Sequence, residues 1–168
     1  SVGITGVVDR ENGTSVRAYG IWKEEVPVSA ILEEKLKLPV LISNNVDAFS
    51  LAELFFGVGR KYDNLLVIKW GPGVGSTIVI DNKIYEGRNG KTAEIGHFIV
   101  DPEGKKCSCG RRGCLETKVS YRALKKIVPF SPQTFGDVYE SARKKERKAI
   151  DDAISLFARS IVNAGVLL

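Results

Sequence analysis

An α/β fold is what the sequence predicts, and three features of the first half predict it. Short apolar runs alternate with amphipathic helical patterns, the order expected when helices pack on a sheet. Pro39 closes the first helical pattern just before the next apolar run. A glycine-rich turn, Gly71-Pro72-Gly73-Val74-Gly75, joins two further strand-like runs.

In chain order, residues 2–8 read as a strand and residues 9–13 as a polar, glycine-containing turn. Residues 29–37 carry Ile31, Leu32 and Leu36 between charges and predict an amphipathic helix. Residues 40–43 read as a buried strand. Residues 47–56 predict a second helix with Ala48, Leu51, Ala52 and Phe55 on its apolar face. Residues 65–70 and 74–81 read as strands, and Asp81-Asn82-Lys83 as a hairpin turn into Ile84-Tyr85. Helices follow over 116–127, 134–145 and 147–168, with the clearest break at Pro129-Phe130-Ser131-Pro132. The organisation expected is a first lobe over 1–57 and a second over 64–168. The apolar ending Ala164-Gly165-Val166-Leu167-Leu168 has no cap, and the chain is expected to be a fragment of a longer protein.

With 168 residues, 43% hydrophobic and 27% charged, the composition is that of a globular chain able to bury a core. No apolar run is long enough to span a bilayer, and residues 1–8 lack the features of a signal peptide, so no membrane partner and a cytoplasmic location are expected. The net charge of +5 fits either anionic ligands or solvated lysines.

The soft metal ligands are concentrated. The chain has three cysteines and one histidine, and His97, Cys107, Cys109 and Cys114 all fall in one short window. An odd cysteine count in a reducing compartment argues against a disulfide framework. Zinc takes four tetrahedral nitrogen or sulfur ligands, and a Cys3His set without carboxylate predicts a closed structural Zn2+ site over 97–114. Gly104, Gly110 and Gly113 permit a tight loop, and Lys105, Lys106, Arg111 and Arg112 offset thiolate charge. The alternatives are unrelated free cysteines, or a zinc ribbon that binds nucleic acid. Against the ribbon, a second cysteine knuckle and stacking aromatics are missing.

Gly71, Gly73 and Gly75 allow backbone amides to approach phosphate oxygens, although an ordinary glycine-rich hairpin reads the same way. No Gly-Lys-Ser/Thr follows, so this is not a Walker loop. Glu94 and Glu116 flank the metal ligands, and Asn44-Asn45 follows a strand at the end where α/β proteins bind ligands. Carboxylates and amides suit sugar hydroxyls.

Together, Glu94-Ile95-Gly96-His97, Cys107-Ser108-Cys109-Gly110 and Gly113-Cys114-Leu115-Glu116 resemble the signature of the ROK family of sugar-responsive repressors and bacterial sugar kinases. Gly3 to Asp9, Leu38-Pro39-Val40 leading to Asn44, and Gly71 to Ile78 extend the resemblance over nearly the whole chain. It implies an actin-like, ribonuclease-H-like ATPase fold with two lobes and a sugar cleft. By that resemblance Glu94, His97 and Glu116 contact sugar hydroxyls, with Asn44 and Asn45 opposite. His97 would then serve zinc with one ring nitrogen and sugar with the other. The resemblance also implies a homodimer or homotetramer. ATP and Mg2+ are implied if the protein is a kinase, and DNA binding only through an N-terminal winged helix lying outside this chain.

The sequence departs from the kinases in three places. Kinase members have Glu-Asn-Asp where this chain has Ser43-Asn44-Asn45, so the general-base position holds Asn45. Asp47 follows two residues on, either as a helix N-cap or as a displaced base. Pro72 stands where kinases commonly have threonine, and Gly20 where they often have a sugar-touching asparagine. The expected function is effector sensing in a ROK regulator that keeps sugar recognition and loses phosphoryl transfer. The alternative is an ATP-dependent kinase for N-acetylglucosamine, glucose or a related hexose.

Overall fold

The first apolar run breaks at a glycine. In the computed structural model, which describes residues 1–18, 20–87 and 92–166, β1 (Val2–Ile4) stops before Thr5-Gly6 and β2 (Val7–Asp9) starts after it. Gly6 has φ +93°, and a Cβ there would lie 2.1 Å from the Arg17 carbonyl oxygen, so no side chain fits. The single strand expected over 2–8 is therefore two. β2 pairs antiparallel with β3 (Thr14–Arg17), whose short polar sequence carries no periodic signal.

β1 instead pairs parallel with β4 (Ile42–Asn44), Val2 opposite Ile42 and Ile4 opposite Asn44. A parallel pair needs a crossover, and α1 (Val28–Leu36) lies in that connection. Ile4, Ala18, Val40 and Ile42 form the core here, with Val8, Trp22, Val28 and Leu32 packed on it. Each such aliphatic side chain contributes about 1.5–3 kcal/mol when fully buried. Of the stripe expected on α1, Leu32 joins this core, while Ile31 and Leu36 stay 40% and 56% exposed.

α2 (Asn45–Phe56) begins two residues earlier than expected and buries a different face. Val46, Ser50 and Leu54 point inward, whereas Phe55 is 64% exposed. Ser50 can sit inside because its hydroxyl donates to the Val46 carbonyl at 2.8 Å. β5 (Leu65–Trp70), β6 (Val74–Ile80) and β7 (Lys83–Ile84) form one sheet in that order. Asp81 and Asn82, with φ of 49° and 61°, make the hairpin turn expected there.

The chain divides into two compact units. The first holds Ser1–Ile68 and Ser76–Glu94, and the second holds Lys69–Gly75 and the chain from Ile95. The boundary expected between 57 and 64 thus falls inside the first unit. The cause is the β5–β6 hairpin, whose turn end groups with the second unit.

In the second unit the helix expected over 116–127 is broken. α3 (Glu116–Val119) and α4 (Tyr121–Leu124) meet at buried Ser120, whose extended backbone (ψ 157°) ends one helix while its hydroxyl caps the Ala123 amide at 3.2 Å. A 3-10 turn over Pro132–Thr134 leads into α5 (Phe135–Ser141), and α6 (Lys144–Gly165) is the long closing helix. Residues 167–168 of the expected final helix lie outside the described residues. Leu124, Val128, Phe130 and Ile150 are the core, extended by an aromatic chain with ring centroids 5.2 Å apart for Trp70–Tyr121 and 5.8 Å for Tyr121–Phe130. No described helix is long and apolar enough to cross a membrane.

Candidate functional site

In the first unit, β4 delivers Asn44 and Asn45 to the head of α2. Asn44, and not Asp47, is the N-cap. Its Oδ1 accepts the Val46 amide at 2.7 Å, and its Nδ2 donates to the Gly6 carbonyl at 2.7 Å. The amide therefore ties α2 to the β1–β2 break. Asn45 is half-buried and makes no side-chain hydrogen bond among the described residues. The Ser43 hydroxyl is buried without a partner among them.

Asp47 lies in the first turn of α2, where its Oδ1 accepts the Thr77 hydroxyl of β6 at 2.6 Å. Burial pushes its carboxyl above the usual range, opposed by the Thr77 hydrogen bond and by the charge of Arg10. Arg10 in turn pairs with Glu86 at 2.6 Å, so Glu86 has a partner that its local sequence did not advertise. Glu53, equally unremarkable in sequence, accepts the Val58 amide at 3.2 Å and closes α2. Gly20 has φ +80° in the tight turn between Ala18 and Trp22, a backbone reason for glycine there. Glu94 is exposed, and the Ser76 hydroxyl donates to the carbonyl of Ala93 just before it.

In the second unit, Ile95–His97 is a buried 3-10 turn. Gly96 is required: a Cβ would stand 2.2 Å from the Val74 carbonyl oxygen. His97, Cys107, Cys109 and Cys114 bring one ligand atom each to within 4.8 Å of one another. His97 Nδ1 lies 3.6 Å from Cys107 Sγ, and Cys109 Sγ lies 3.6 Å from Cys114 Sγ. Tetrahedral zinc with bonds of about 2.3 Å to sulfur and about 2.05 Å to nitrogen demands about 3.6 Å for S···N and about 3.8 Å for S···S. The donor set and its spacing therefore fit such an ion.

The loop is shaped by its own backbone. The Cys107 amide donates to the Arg111 carbonyl at 2.8 Å, and the Gly110 amide to the Cys107 carbonyl at 3.0 Å. Gly113 has φ +69°, and a Cβ there would overlap the Asp101 carbonyl oxygen at 1.6 Å. Burial and the neighbouring thiols push Cys114 up to about 12. Burial also works against ionising Cys109, but backbone and side-chain hydrogen bonds from Arg111 outweigh it and hold that thiol below its ordinary value. A metal would have to displace the Cys114 proton. Of the four basic residues expected around the thiolates, Arg111 reaches Cys109, while Arg112 donates to the Gly104 carbonyl at 3.3 Å.

Cys114 leads directly to Glu116. The Leu115 amide donates to the Phe98 carbonyl at 2.8 Å, and Glu116 Oε2 accepts the Val74 amide at 2.9 Å. A Cβ on Gly73 would lie 2.6 Å from that carboxylate oxygen. The Gly71 amide bonds the Gly73 carbonyl at 2.9 Å, and the Gly71 carbonyl accepts the Tyr121 amide at 2.8 Å. The glycine-rich turn is thus docked on Glu116 and α4. Pro72 has no N–H, and the N–H groups of Gly71 and Val74 are engaged. No local pattern announces the Glu116–Val74 bond, whose partners are separated by 42 positions.

Known proteins share these elements. The chain is 37% identical over 127 residues to the xylose repressor of Caldicellulosiruptor bescii, covering 76% of this chain and 32% of that protein. It is 37% identical over 130 residues to the glucokinase of Thermotoga maritima, covering 76% and 40%. It superposes with TM-score 0.79 and 29% identity on a ROK family glucokinase from Streptomyces griseus solved with glucose and AMPPNP, over 99% of this chain and 61% of that one. Its α/β elements therefore superpose on those of a ROK family glucokinase, in a chain that spans 32% to 40% of the length of those two curated relatives. The sequence pattern of the ROK family matches residues 1–168, and the chain belongs to that family.

Proposed function

We propose that this chain is the sugar-sensing region of a ROK transcriptional regulator, which binds a sugar without phosphorylating it. The observation that carries this reading is Asn45. Where the kinase pattern calls for a base, a half-buried amide opens α2 with no partner among the described residues. An amide donates to and accepts from a sugar hydroxyl but cannot take its proton. A general base contributes about 10²- to 10⁴-fold in rate, so its loss leaves binding and removes useful turnover. The glycine-rich turn supports the same reading, because Pro72 offers neither the threonine hydroxyl of the kinase pattern nor an N–H for a phosphate oxygen.

In this proposal Glu94, His97 and Glu116 contact sugar hydroxyls, with Asn44 and Asn45. His97, Cys107, Cys109 and Cys114 hold zinc. The ion supplies a structural cross-link, and with four protein ligands it keeps no position for an activated water. Nδ1 of His97 faces Cys107, and the proposed sugar contact is through Nε2. DNA binding belongs to a domain outside this chain, and ATP with Mg2+ matters only if phosphoryl transfer survives. Calorimetric titration of the full-length protein with glucose, D-xylose and N-acetylglucosamine tests the reading. Saturable binding of one of them without ATP-dependent product supports it. Rapid sugar-phosphate formation refutes it.

A sugar kinase is the second reading, and Asp47 is its specific support, as a carboxyl near Asn45 whose affinity for protons is raised. Residues two apart on a helix do not share a face, and Asp47 is already held by Thr77, so the regulator reading is preferred.

A further inference from the structure

The four soft ligands differ in access. Cys107 and Cys114 are 5% and 0% exposed, and His97 is 8% exposed, whereas Cys109 is only partly covered. An oxidant from solvent therefore meets Cys109 first. The Cys114 sulfur waits 3.6 Å away, and a disulfide needs about 2.05 Å. Cys114 is fixed by its bridge to Ile99, so Cys109 is the partner that moves. Gly110, next to it, has φ +97° and open space where a Cβ would be, so the loop tip can shift without a clash. Cys107 is the poorer partner, because a single residue separates it from Cys109 and its sulfur faces His97.

We propose that Cys109 and Cys114 form a peroxide-sensitive pair whose oxidation releases the metal, a proposal that rests on the zinc reading above. The Cys109 thiolate attacks one peroxide oxygen, the O–O bond breaks, and hydroxide leaves, giving a sulfenic acid. The Cys114 thiolate then attacks that sulfur and expels a second hydroxide, leaving a Cys109–Cys114 disulfide. Two electrons pass from the two thiolates to one peroxide. Zinc retains only His97 and Cys107 and dissociates.

The test uses full-length protein whose zinc content is measured first. Hydrogen peroxide is then added stepwise while a metallochromic chelator reads released zinc. Non-reducing digestion and mass spectrometry locate the bond. The expected result is release of the whole zinc complement, in step with a two-hydrogen mass loss in a cross-linked peptide joining Cys109 to Cys114. Dithiothreitol with added zinc restores both. No zinc at the outset overturns the metal reading and this proposal together. Zinc that stays bound under excess peroxide, or leaves with Cys107 in the disulfide, overturns the proposal alone.

Discussion

The Asp47–Thr77 contact separates a structural carboxylate from a catalytic one, and two substitutions resolve it. Thr77 is 3% exposed and its hydroxyl donates to Asp47 at 2.6 Å. Thr77→Val keeps the shape and removes the donor, leaving a half-buried carboxylate short of a partner. A hydrogen bond to a charged group contributes about 1.5–3 kcal/mol, so the variant should lose about that much at neutral pH. In a chain of this size that is a fall in melting temperature of roughly 3–12 °C. Asp47→Asn keeps an oxygen acceptor for Thr77 and removes the buried charge, so it should be neutral or stabilising. The pH dependence has a definite sign. The carboxyl of Asp47 is raised in the folded state, so its contribution is fully favourable below the unfolded value of about 3.9 and is lost as pH rises through the folded value. Thr77→Val removes an interaction that holds the carboxyl down, moving that loss to higher pH. Asp47→Asn flattens it. Thermal unfolding from pH 4 to pH 8 reads all three proteins. Thr77→Val melting with wild type, or Asp47→Asn costing as much as Thr77→Val, would show that the hydroxyl does not hold this carboxylate.

Three further substitutions test the site's framework. Gly113→Ala puts a Cβ 1.6 Å from the Asp101 carbonyl oxygen, so it should abolish stoichiometric zinc by atomic absorption, whereas Gly110→Ala meets open space and should cost only about 1–2 kcal/mol for its left-handed backbone. Asn44→Ala removes the α2 cap and the tie to Gly6, and chemical denaturation should show a loss of about 1–2 kcal/mol.

The clustering of His97, Cys107, Cys109 and Cys114 was legible in the sequence because four soft side chains in one window have few other uses, and their ligand atoms do lie within 4.8 Å of one another. The α/β class was legible because apolar periodicity reports burial. What stayed hidden depended on tertiary partners. Gly6 splits the first strand because of Arg17, and Ser120 breaks a helical pattern whose periodicity continues across it. Ser50 lies off the apolar face read for α2, and its back-bond to the Val46 carbonyl is what allows its burial. Asp47 resembled a cap, but Asn44, three positions earlier, holds the first-turn amide of Val46. The glycine-rich turn carried a phosphate-loop pattern, while the bond that shapes it comes from Glu116, beyond any local window.

Asn45 decides between sugar sensing and phosphoryl transfer. The decisive measurement is the rate of ATP-dependent sugar phosphorylation by full-length wild type and by Asn45→Asp, with the sugar that calorimetry shows to bind. A sensing role for Asn45 predicts binding with turnover far below the usual enzyme range of about 1–10³ s⁻¹ in wild type, and a clear gain on restoring the carboxylate. Wild-type turnover inside that range, unchanged by Asn45→Asp, would contradict it.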